Sequence, residues 1–225
     1  MALNAAEIQR KVLHGFSGLL VPAIILYSPG WVKEWFGLGP YRQPWLVPFL
    51  LLSFSLVIFI VLEYVRLRGG PIREWFNRVF GSMLREEESR KVTGATYINA
   101  SAVICTLVFR DVPEIAAISL ALFIWGDAVA ALVGLSIGRI RIGKKSLEGS
   151  IGCFVTCFAM FYILFPLAPG LLDPWGGGVP VWMVAVVSLC ITIFELFPIK
   201  LRGRLELNDN LTVPVITGLL MWWIS

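Results

Sequence analysis

One short stretch of the chain combines residue types that handle phosphate groups. It reads WGDAVAALVGLSIGRIRIGKKSLEGSIG from Trp125 to Gly152. Glycines let backbone N–H groups approach phosphate oxygens, and lysines and arginines neutralise phosphate charge. Asp127 is a carboxylate suited to Mg²⁺, which binds one or two carboxylates and completes its coordination shell with water and phosphate. This combination predicts phosphoryl or nucleotidyl transfer, in which catalysis is mostly positioning and charge neutralisation.

The basic part of the stretch resembles the P-loop sequence pattern but does not match it. Gly138, Gly143 and Lys144 have the right spacing, but Lys145 stands where the pattern requires serine or threonine. A P-loop also follows a β-strand, whereas this loop follows an apolar helix, so a P-loop ATPase is excluded. Phosphate binding is still expected, because the next helix begins here and a helix N-terminus favours anions. The predicted nucleotide-binding residues of this region are Gly126, Gly134, Gly138, Gly143, Lys144, Lys145, Ser146, Leu147, Gly149 and Ser150.

Other interpretations of these residues stay open. Gly126, Gly134 and Gly138 are also small residues of the kind that let a membrane helix pack closely against a neighbour. The lysines and arginines are also typical of a loop on the cytoplasmic side of a membrane. Asp209 and Glu148 are the further acidic candidates for a phosphate and metal site.

The elements that must position these residues are membrane helices. Of 225 residues, 57% are hydrophobic and 15% are charged, and the mean hydropathy is +0.79. A soluble domain has about a quarter of its residues charged. We therefore predict an all-α, polytopic integral membrane protein that forms one catalytic domain over residues 1–225. The net charge of +4 is attributed to topology and anionic lipid, and nucleic-acid binding is not expected.

Seven membrane spans are predicted, since apolar runs recur at close to the roughly 20 residues that cross a bilayer. The first is retained, because no cleavage site follows it. All but three of the 19 lysines and arginines fall in the N-terminal tail or in the loops after spans two, four and six. The positive-inside rule then predicts a cytoplasmic N-terminus and an outer C-terminus, in the cell membrane or the membrane of the endoplasmic reticulum. The spans cover residues 12–29, 45–66, 93–109, 113–137, 149–168, 179–199 and 210–225.

The cytoplasmic loop of residues 71–91 has a helical pattern of its own. Its apolar residues recur at helical spacing, with arginine and glutamate between them. The pattern predicts an amphipathic helix on the cytoplasmic leaflet. We interpret this helix as an anchor or, alternatively, as a lid over a lipid-entry site.

Polar and acidic residues in six of the predicted spans lie toward the cytoplasmic side. Charges within a membrane are costly, so each is a functional candidate. Their one-sided distribution predicts a site open to the cytoplasm and disfavours a transporter, whose path would carry polar groups across the membrane. Individually, Glu63 could pair structurally with Arg66, and Asn208 could cap a helix. The residues concerned are His14, Glu63, Thr93, Thr96, Asn99, Asp127, Glu195, Asn208, Asp209 and Asn210.

Several motifs at these positions resemble the polyprenol kinase family. That family includes dolichol kinase, phytol kinase and CTP-dependent diacylglycerol kinase, and its membrane region is related to CDP-diacylglycerol synthases. The resemblance covers most of the chain. One departure is Asn208, which stands where the family has the first residue of an acidic pair. The matching motifs are RKVLH from Arg10 to His14, LEYVRLR with Glu63 and Arg66, TGATY from Thr93, GDAVAALVG from Gly126, GKKSLEGS from Gly143, and Glu195 followed by DNLTVP from Asp209.

The resemblance implies a reaction and a set of cofactors. It implies transfer of the γ-phosphate of CTP to the hydroxyl of a membrane isoprenoid alcohol, such as dolichol, another polyprenol or phytol. Mg²⁺ or another divalent cation would take part. A CTP-dependent diacylglycerol kinase and a cytidylyltransferase acting on a lipid phosphate stay open as alternatives, and a transporter is the rival from another class.

Residue roles follow from the resemblance together with the residue chemistry. Asp127 would act in catalysis and bind the metal together with Asp209. Arg10 and Lys11 would lie against the transferring phosphate or the lipid head. The candidates for accepting the hydroxyl proton are Glu63, Glu148 and Glu195, and further nucleotide-binding candidates are His14, Thr93, Thr96 and Asn210.

Overall fold

The computed structural model describes residues 5–37, 43–81, 91–143, 145–197, 200–201 and 205–225. Within them the chain forms eight α-helices and two short β-hairpins. The helices are α1 (Ala5–Phe36), α2 (Leu46–Arg68), α3 (Pro71–Phe80), α4 (Gly94–Val108), α5 (Pro113–Ser136), α6 (Leu147–Ile163), α7 (Val181–Leu196) and α8 (Asp209–Ile224). The strands are β1 (Arg141–Ile142), β2 (Lys145–Ser146), β3 (Lys200–Leu201) and β4 (Leu205–Glu206), paired antiparallel as β1–β2 and β3–β4.

The architecture is that of an all-α membrane protein, as the composition predicts. Four segments of the described chain are long and apolar enough to cross a bilayer: Gln9–Phe36, Leu46–Arg68, Pro113–Ser136 and Leu147–Leu167. The helices α4 and α7 are apolar but shorter. Each of the seven predicted spans coincides with a helix, while the number of helices that cross the membrane stays a prediction.

The helix α5 forms the centre of the bundle. Its residues 115–124 are almost completely buried, and α1, α6 and α8 pack against it. By contrast, α1 and α2 expose large apolar side chains such as Phe16, Phe54 and Val57. Apolar side chains that face outward suit a bundle whose surroundings are lipid rather than water. The fold thus buries the helix that carries Asp127 among α1, α6 and α8.

The helix α3 corresponds to the first half of the predicted amphipathic segment. It begins after Gly69 and Gly70, whose positive φ angles of 92° and 87° turn the chain away from α2. The Arg66 guanidinium lies 5.3 Å from the centre of the Phe76 ring, so α3 folds back onto the end of α2. Residues 82–90 of the predicted helix lie outside the described residues.

Close packing in the C-terminal half of α8 gives a test of the fold. A Cβ added to Gly218 would lie 2.4 Å from Cε2 of the buried Phe109 ring. We expect Gly218→Ala to destabilise the protein by about 1–3 kcal/mol through overpacking. The measurement is the midpoint of thermal unfolding in detergent. Gly30→Ala is the matched control, because its Cβ would meet nothing within 4 Å; equal midpoints for the two variants would contradict this packing.

Candidate active site

Asp127 lies in the middle of α5 and is paired with residues of α1. The Lys11 ammonium donates to Asp127 Oδ2 at 2.6 Å and to the Asp127 carbonyl oxygen at 3.3 Å. His14 Nε2 lies 3.8 Å from the same carboxylate oxygen. Lys11 and His14 are three residues apart and so share one face of α1. The structure therefore brings together the predicted catalytic carboxylate and two of the predicted phosphate-binding residues.

Lys145 connects the first hairpin to the helices α7 and α8. Its ammonium lies 2.7 Å from Glu195 Oε1 and 3.7 Å from Asp209 Oδ2, and it also donates to the Glu195 carbonyl oxygen. Burial alone would lower the pKa of Lys145, but the Glu195 carboxylate, helped by Asp209 and Asp127, raises it above its ordinary value. Lys145 is therefore a fixed positive charge among three carboxylates.

Glu63 is held at the end of α2 by donors on both of its carboxylate oxygens. Oε2 accepts from Arg66 Nε at 2.9 Å, and Oε1 accepts from the Thr93 backbone N–H at 2.9 Å and from Thr96 Oγ1 at 3.4 Å. Arg66 also donates to the Lys91 carbonyl oxygen at 2.6 Å. The structural pairing of Glu63 with Arg66 is thus observed, and it ties α2 to the beginning of α4.

A single cavity of about 510 Å³ joins these groups to an apolar wall. This volume is typical of a small-molecule site. The apolar wall is formed by α1, α2, α3 and α4, and the polar end also includes residues of α5, β2 and α8. Its polar lining comprises Arg10, Lys11, His14, Ser17, Ser55, Glu63, Thr93, Asn99, Asp127, Lys145, Asp209 and Asn210, and its apolar lining includes Leu13, Leu20, Val21, Ile24, Leu51, Leu52, Phe59, Leu62, Phe76 and Ile98.

The cavity opens sideways between α1 and α2. The lining residues Leu13 and Leu20 of α1 are 51% and 44% exposed, and Leu51 of α2 is 47% exposed. Two other lining residues, Leu52 and Ile98, are buried at 3% and 4%. The cavity therefore has a closed inner wall and a rim on the apolar outer surface of the bundle.

The glycine-rich region has a structural role that the phosphate interpretation did not include. A Cβ on Gly126 would lie 2.9 Å from Cys153 Sγ, and one on Gly149 would lie 2.6 Å from the Ala130 carbonyl oxygen. Gly134 and Gly138 would meet Ser146 Oγ at 2.8 and 2.7 Å. These glycines let α5 and α6 approach closely, which is the alternative interpretation of a small-residue packing face.

Among the described residues of the loop between α5 and α6, Lys145 is the one whose side chain lines the cavity. Gly143 adopts φ +63° in the hairpin turn. Ser146 is the N-cap of α6, and its Oγ accepts from the Gly149 N–H at 3.1 Å. Ser150 Oγ donates to the Ser146 carbonyl oxygen, and Leu147 faces outward. Lys144 lies outside the described residues.

The three candidate proton acceptors occupy different places. Glu63 lines the cavity, whereas Glu195 lies behind Lys145 and is buried. Glu148 lies at the start of α6, and its carboxylate accepts from the backbone N–H groups of Arg139 and Ile140 at 2.9 and 3.1 Å. The structure thus does not bring Glu148 to the other polar residues.

The described residues contain no group of three or more His, Cys, Asp or Glu side chains arranged to hold a metal ion. The predicted metal ligands Asp127 and Asp209 both line the cavity, with Lys145 near them. Two carboxylates do not form a metal site made of protein alone. They do fit Mg²⁺ that arrives with a nucleotide, because that ion keeps phosphate and water in its shell.

Sequence reasoning missed the apolar half of the site. Leu52, Phe59 and Ile98 read as ordinary residues of membrane helices, and no local pattern marks them as cavity-lining. Ser55 was also missed, and Asn99 was noted as polar without a role. The signal that could have identified Ser55 is its own polarity, because a polar residue within a membrane helix is a functional candidate.

Comparison with known proteins agrees with the motif resemblance. The chain is 27% identical over 224 residues to CTP-dependent diacylglycerol kinase 1 of Schizosaccharomyces pombe, which covers 97% of this chain and 93% of that protein. It is 26% identical over 228 residues to the phytol kinase of Synechocystis, covering 99% and 81%. It is 31% identical over 145 residues to the chloroplastic phytol kinase 1 of Arabidopsis thaliana, covering 60% and 45%. The predicted resemblance to the polyprenol kinase family is confirmed, although no family model and no solved structure matches the chain.

The charge of Lys145 can be tested through its reactivity. The raised pKa keeps the ammonium protonated, and the stability gained from its pairing is lost as pH rises through the raised pKa. In Glu195→Gln the main charge that raises this pKa is gone and burial remains, so the pKa falls. We expect faster acylation of Lys145 at about pH 9, below the ordinary lysine pKa of about 10.4. The measurement is mass-spectrometric quantification of acylated Lys145 relative to the exposed Lys33.

Glu148→Gln is the matched control for this experiment. It makes the same chemical change at a carboxylate that contacts backbone N–H groups instead of Lys145. The acylation ratio of Lys145 to Lys33 should stay at the wild-type value. If the acylation ratio were also unchanged in Glu195→Gln, the Glu195 carboxylate would not be the main cause of the raised pKa of Lys145.

Proposed function

We propose that the protein is a CTP-dependent kinase of a membrane lipid alcohol. The observation that carries this proposal is the single cavity, in which a cluster of charged residues meets an apolar wall that opens sideways. Phosphate groups suit the charged end, and a lipid tail suits the wall. The names of the relatives support CTP as the donor and a lipid alcohol as the acceptor.

The reaction transfers one phosphoryl group. The hydroxyl oxygen of the lipid attacks the γ-phosphorus of CTP, the bond from that phosphorus to the β,γ-bridging oxygen breaks, and CDP leaves. The proton of the hydroxyl passes to a carboxylate. We assign this role to Glu63, because it is the one of the three predicted acceptors that lines the cavity.

The positive residues would neutralise the charge of the phosphates. Lys11 already holds the Asp127 carboxylate in the cavity at 2.6 Å, and Lys145 holds the buried Glu195 carboxylate behind it at 2.7 Å; phosphate oxygens are equivalent partners for both lysines. Arg10 lies next to Lys11 along the same wall. Asp127 and Asp209 would hold Mg²⁺ together with the nucleotide, and the ion would supply further charge neutralisation.

The acceptor has two candidates. The motifs favour an isoprenoid alcohol, such as dolichol, a shorter polyprenol or phytol, and the Synechocystis relative is a phytol kinase by name. Diacylglycerol is the second candidate, because the relative from Schizosaccharomyces pombe, covered over 93% of its length, is named a diacylglycerol kinase.

The same proposal includes seven membrane-crossing helices, with the site near the cytoplasmic side. The clustering of His14, Glu63, Thr93 and Asp209 around one cavity supports a site that opens to one side of the membrane. The positions of the basic loops support a cytoplasmic location of that side.

Purified protein with CTP labelled on its γ-phosphate, Mg²⁺ and lipid alcohols tests the proposed activity. We expect label in an organic-phase lipid with release of CDP. Lys11→Met should lower the rate by about 10²-fold or more, as is typical when a group that stabilises transition-state charge is removed. Lys33→Met, at an exposed position on the same helix, should retain the wild-type rate. Pyrophosphate release with a lipid phosphate as acceptor would instead indicate a cytidylyltransferase.

Labelling of introduced cysteines tests the orientation. We expect a membrane-impermeant maleimide to label Ser225→Cys in intact cells, because the C-terminus is predicted to lie outside. Arg141→Cys, in the first hairpin, should react only after the cells are lysed. The native cysteines are buried or half-buried, so the parent protein supplies the background signal. The reverse labelling pattern would overturn the orientation.

A further inference from the structure

Two polar side chains face each other across the apolar part of the cavity. Asn99 Nδ2 of α4 donates to Ser55 Oγ of α2 at 2.7 Å. Both residues line the cavity, whose wall around them is formed by apolar side chains such as Leu52 and Ile98. The mechanism proposed above uses neither residue.

This pair lies away from the charged end of the cavity. Asn99 lies six residues beyond Thr93, which is about 9 Å along α4 at 1.5 Å per residue. Ser55 lies eight residues before Glu63, which is about 12 Å along α2. The Glu63–Thr93 contact marks the charged end. The cavity therefore offers a second polar position deeper along the path that a lipid tail would take.

The hydrogen bond between the two residues leaves part of the amide unused. Asn99 is 9% exposed, and its Oδ1 has no hydrogen-bond partner among the described residues. A buried polar atom without a partner is unfavourable, because its lost hydration is not compensated. Asn99 lines the cavity, so a molecule bound there lies next to this amide. The missing partner is therefore expected from a molecule that enters the cavity.

Either end of the amide can face this molecule. The oxygen and nitrogen of an asparagine side chain exchange places by rotation, and the Ser55 hydroxyl can accept from one or donate to the other. Rotation thus keeps the Asn99–Ser55 bond and places the amide N–H₂ where the unsatisfied Oδ1 lies. In that arrangement Asn99 is a hydrogen-bond donor within an apolar wall.

We propose that Asn99, oriented by Ser55, binds an ester carbonyl of the acceptor lipid, and that the acceptor is therefore an acylglycerol with a free hydroxyl. This inference rests on the proposed function, which places the acceptor in this cavity. An isoprenoid alcohol has one polar group, its hydroxyl, and that group must lie at the charged end. In a diacylglycerol the ester carbonyls follow the free hydroxyl within a few bonds, so the same molecule can reach both positions.

A binding experiment tests the inference without relying on catalysis. Purified protein is immobilised in maltoside micelles, which contain no carbonyl group, and tritiated dioleoylglycerol is displaced by unlabelled lipids. We expect unlabelled dioleoylglycerol to compete about tenfold better than the dioleyl diether of glycerol, which lacks only the carbonyls. Phytol should compete no better than the diether. Absence of diacylglycerol binding, or equal competition by ester and ether, would overturn the inference.

Substitutions of Asn99 and Ser55 test whether these two residues cause the preference for the ester over the ether. Asn99→Leu should reduce the ratio between ester and ether to within about twofold, since one hydrogen-bonding group has been lost. Ser55→Ala leaves the amide in place without its orienting partner and should reduce the ratio partly. Ser101→Ala changes a buried polar residue of the same helix that does not line the cavity, so it should keep the wild-type ratio. An unchanged ratio in both Asn99→Leu and Ser55→Ala would reject this assignment.

Phosphorylation is measured separately on the same preparations with labelled CTP. Binding with the ester preference but without phosphorylation would refute the kinase proposal and leave the Asn99 site intact. Phosphorylation of the lipid together with equal competition by ester and ether would support the kinase proposal and refute the Asn99 site.

Discussion

The arrangement of the site depends on the ion pair between Lys11 and Asp127. Both groups lie inside a helical bundle, where an unpaired charge costs several kcal/mol. Lys11 is 4% exposed, so its charge is compensated by protein rather than by water. This requirement sets where α1 sits along α5. The cavity lies next to this ion pair, between residues of α1, α2 and α4.

The charged groups alternate in sign around the cavity. Lys11 lies against Asp127, and Lys145 lies against Glu195 with Asp209 close by. Such a cluster is stable without a ligand because each charge has a partner. It also has the composition needed to receive a magnesium nucleotide, since the lysines can bind phosphate oxygens while the carboxylates turn to the cation. In the proposed function, the same residues would serve stability before nucleotide binding and charge neutralisation after it.

The structure brings Lys11, Asp127 and Asp209 to one cavity, as the sequence analysis predicts, while their roles stay predictions. Asp127 is conspicuous in the sequence because charges rarely occur in membrane helices, whereas Lys11 and Asp209 adjoin predicted spans and are singled out by the motif resemblance together with residue chemistry. Gly126 and Gly149 were assigned to phosphate binding, but the structure uses them for close packing of α5 on α6. Glycine fits both roles, and spacing alone does not separate them. The apolar wall could not be predicted, because a leucine at the cavity and a leucine facing lipid look alike in sequence.

For the proposed kinase, the sideways opening between α1 and α2 determines how the protein meets its lipid substrate. The rim formed by Leu13, Leu20 and Leu51 is continuous with the lipid-facing surface. A hydrophobic acceptor therefore arrives by diffusion within the plane of the bilayer and never has to leave it. The relevant concentration is then the mole fraction of acceptor among the surrounding lipids, so adding inert lipid or detergent slows the reaction by surface dilution at constant bulk concentration. In the proposed reaction CTP approaches from the aqueous side, so its concentration dependence follows ordinary solution kinetics.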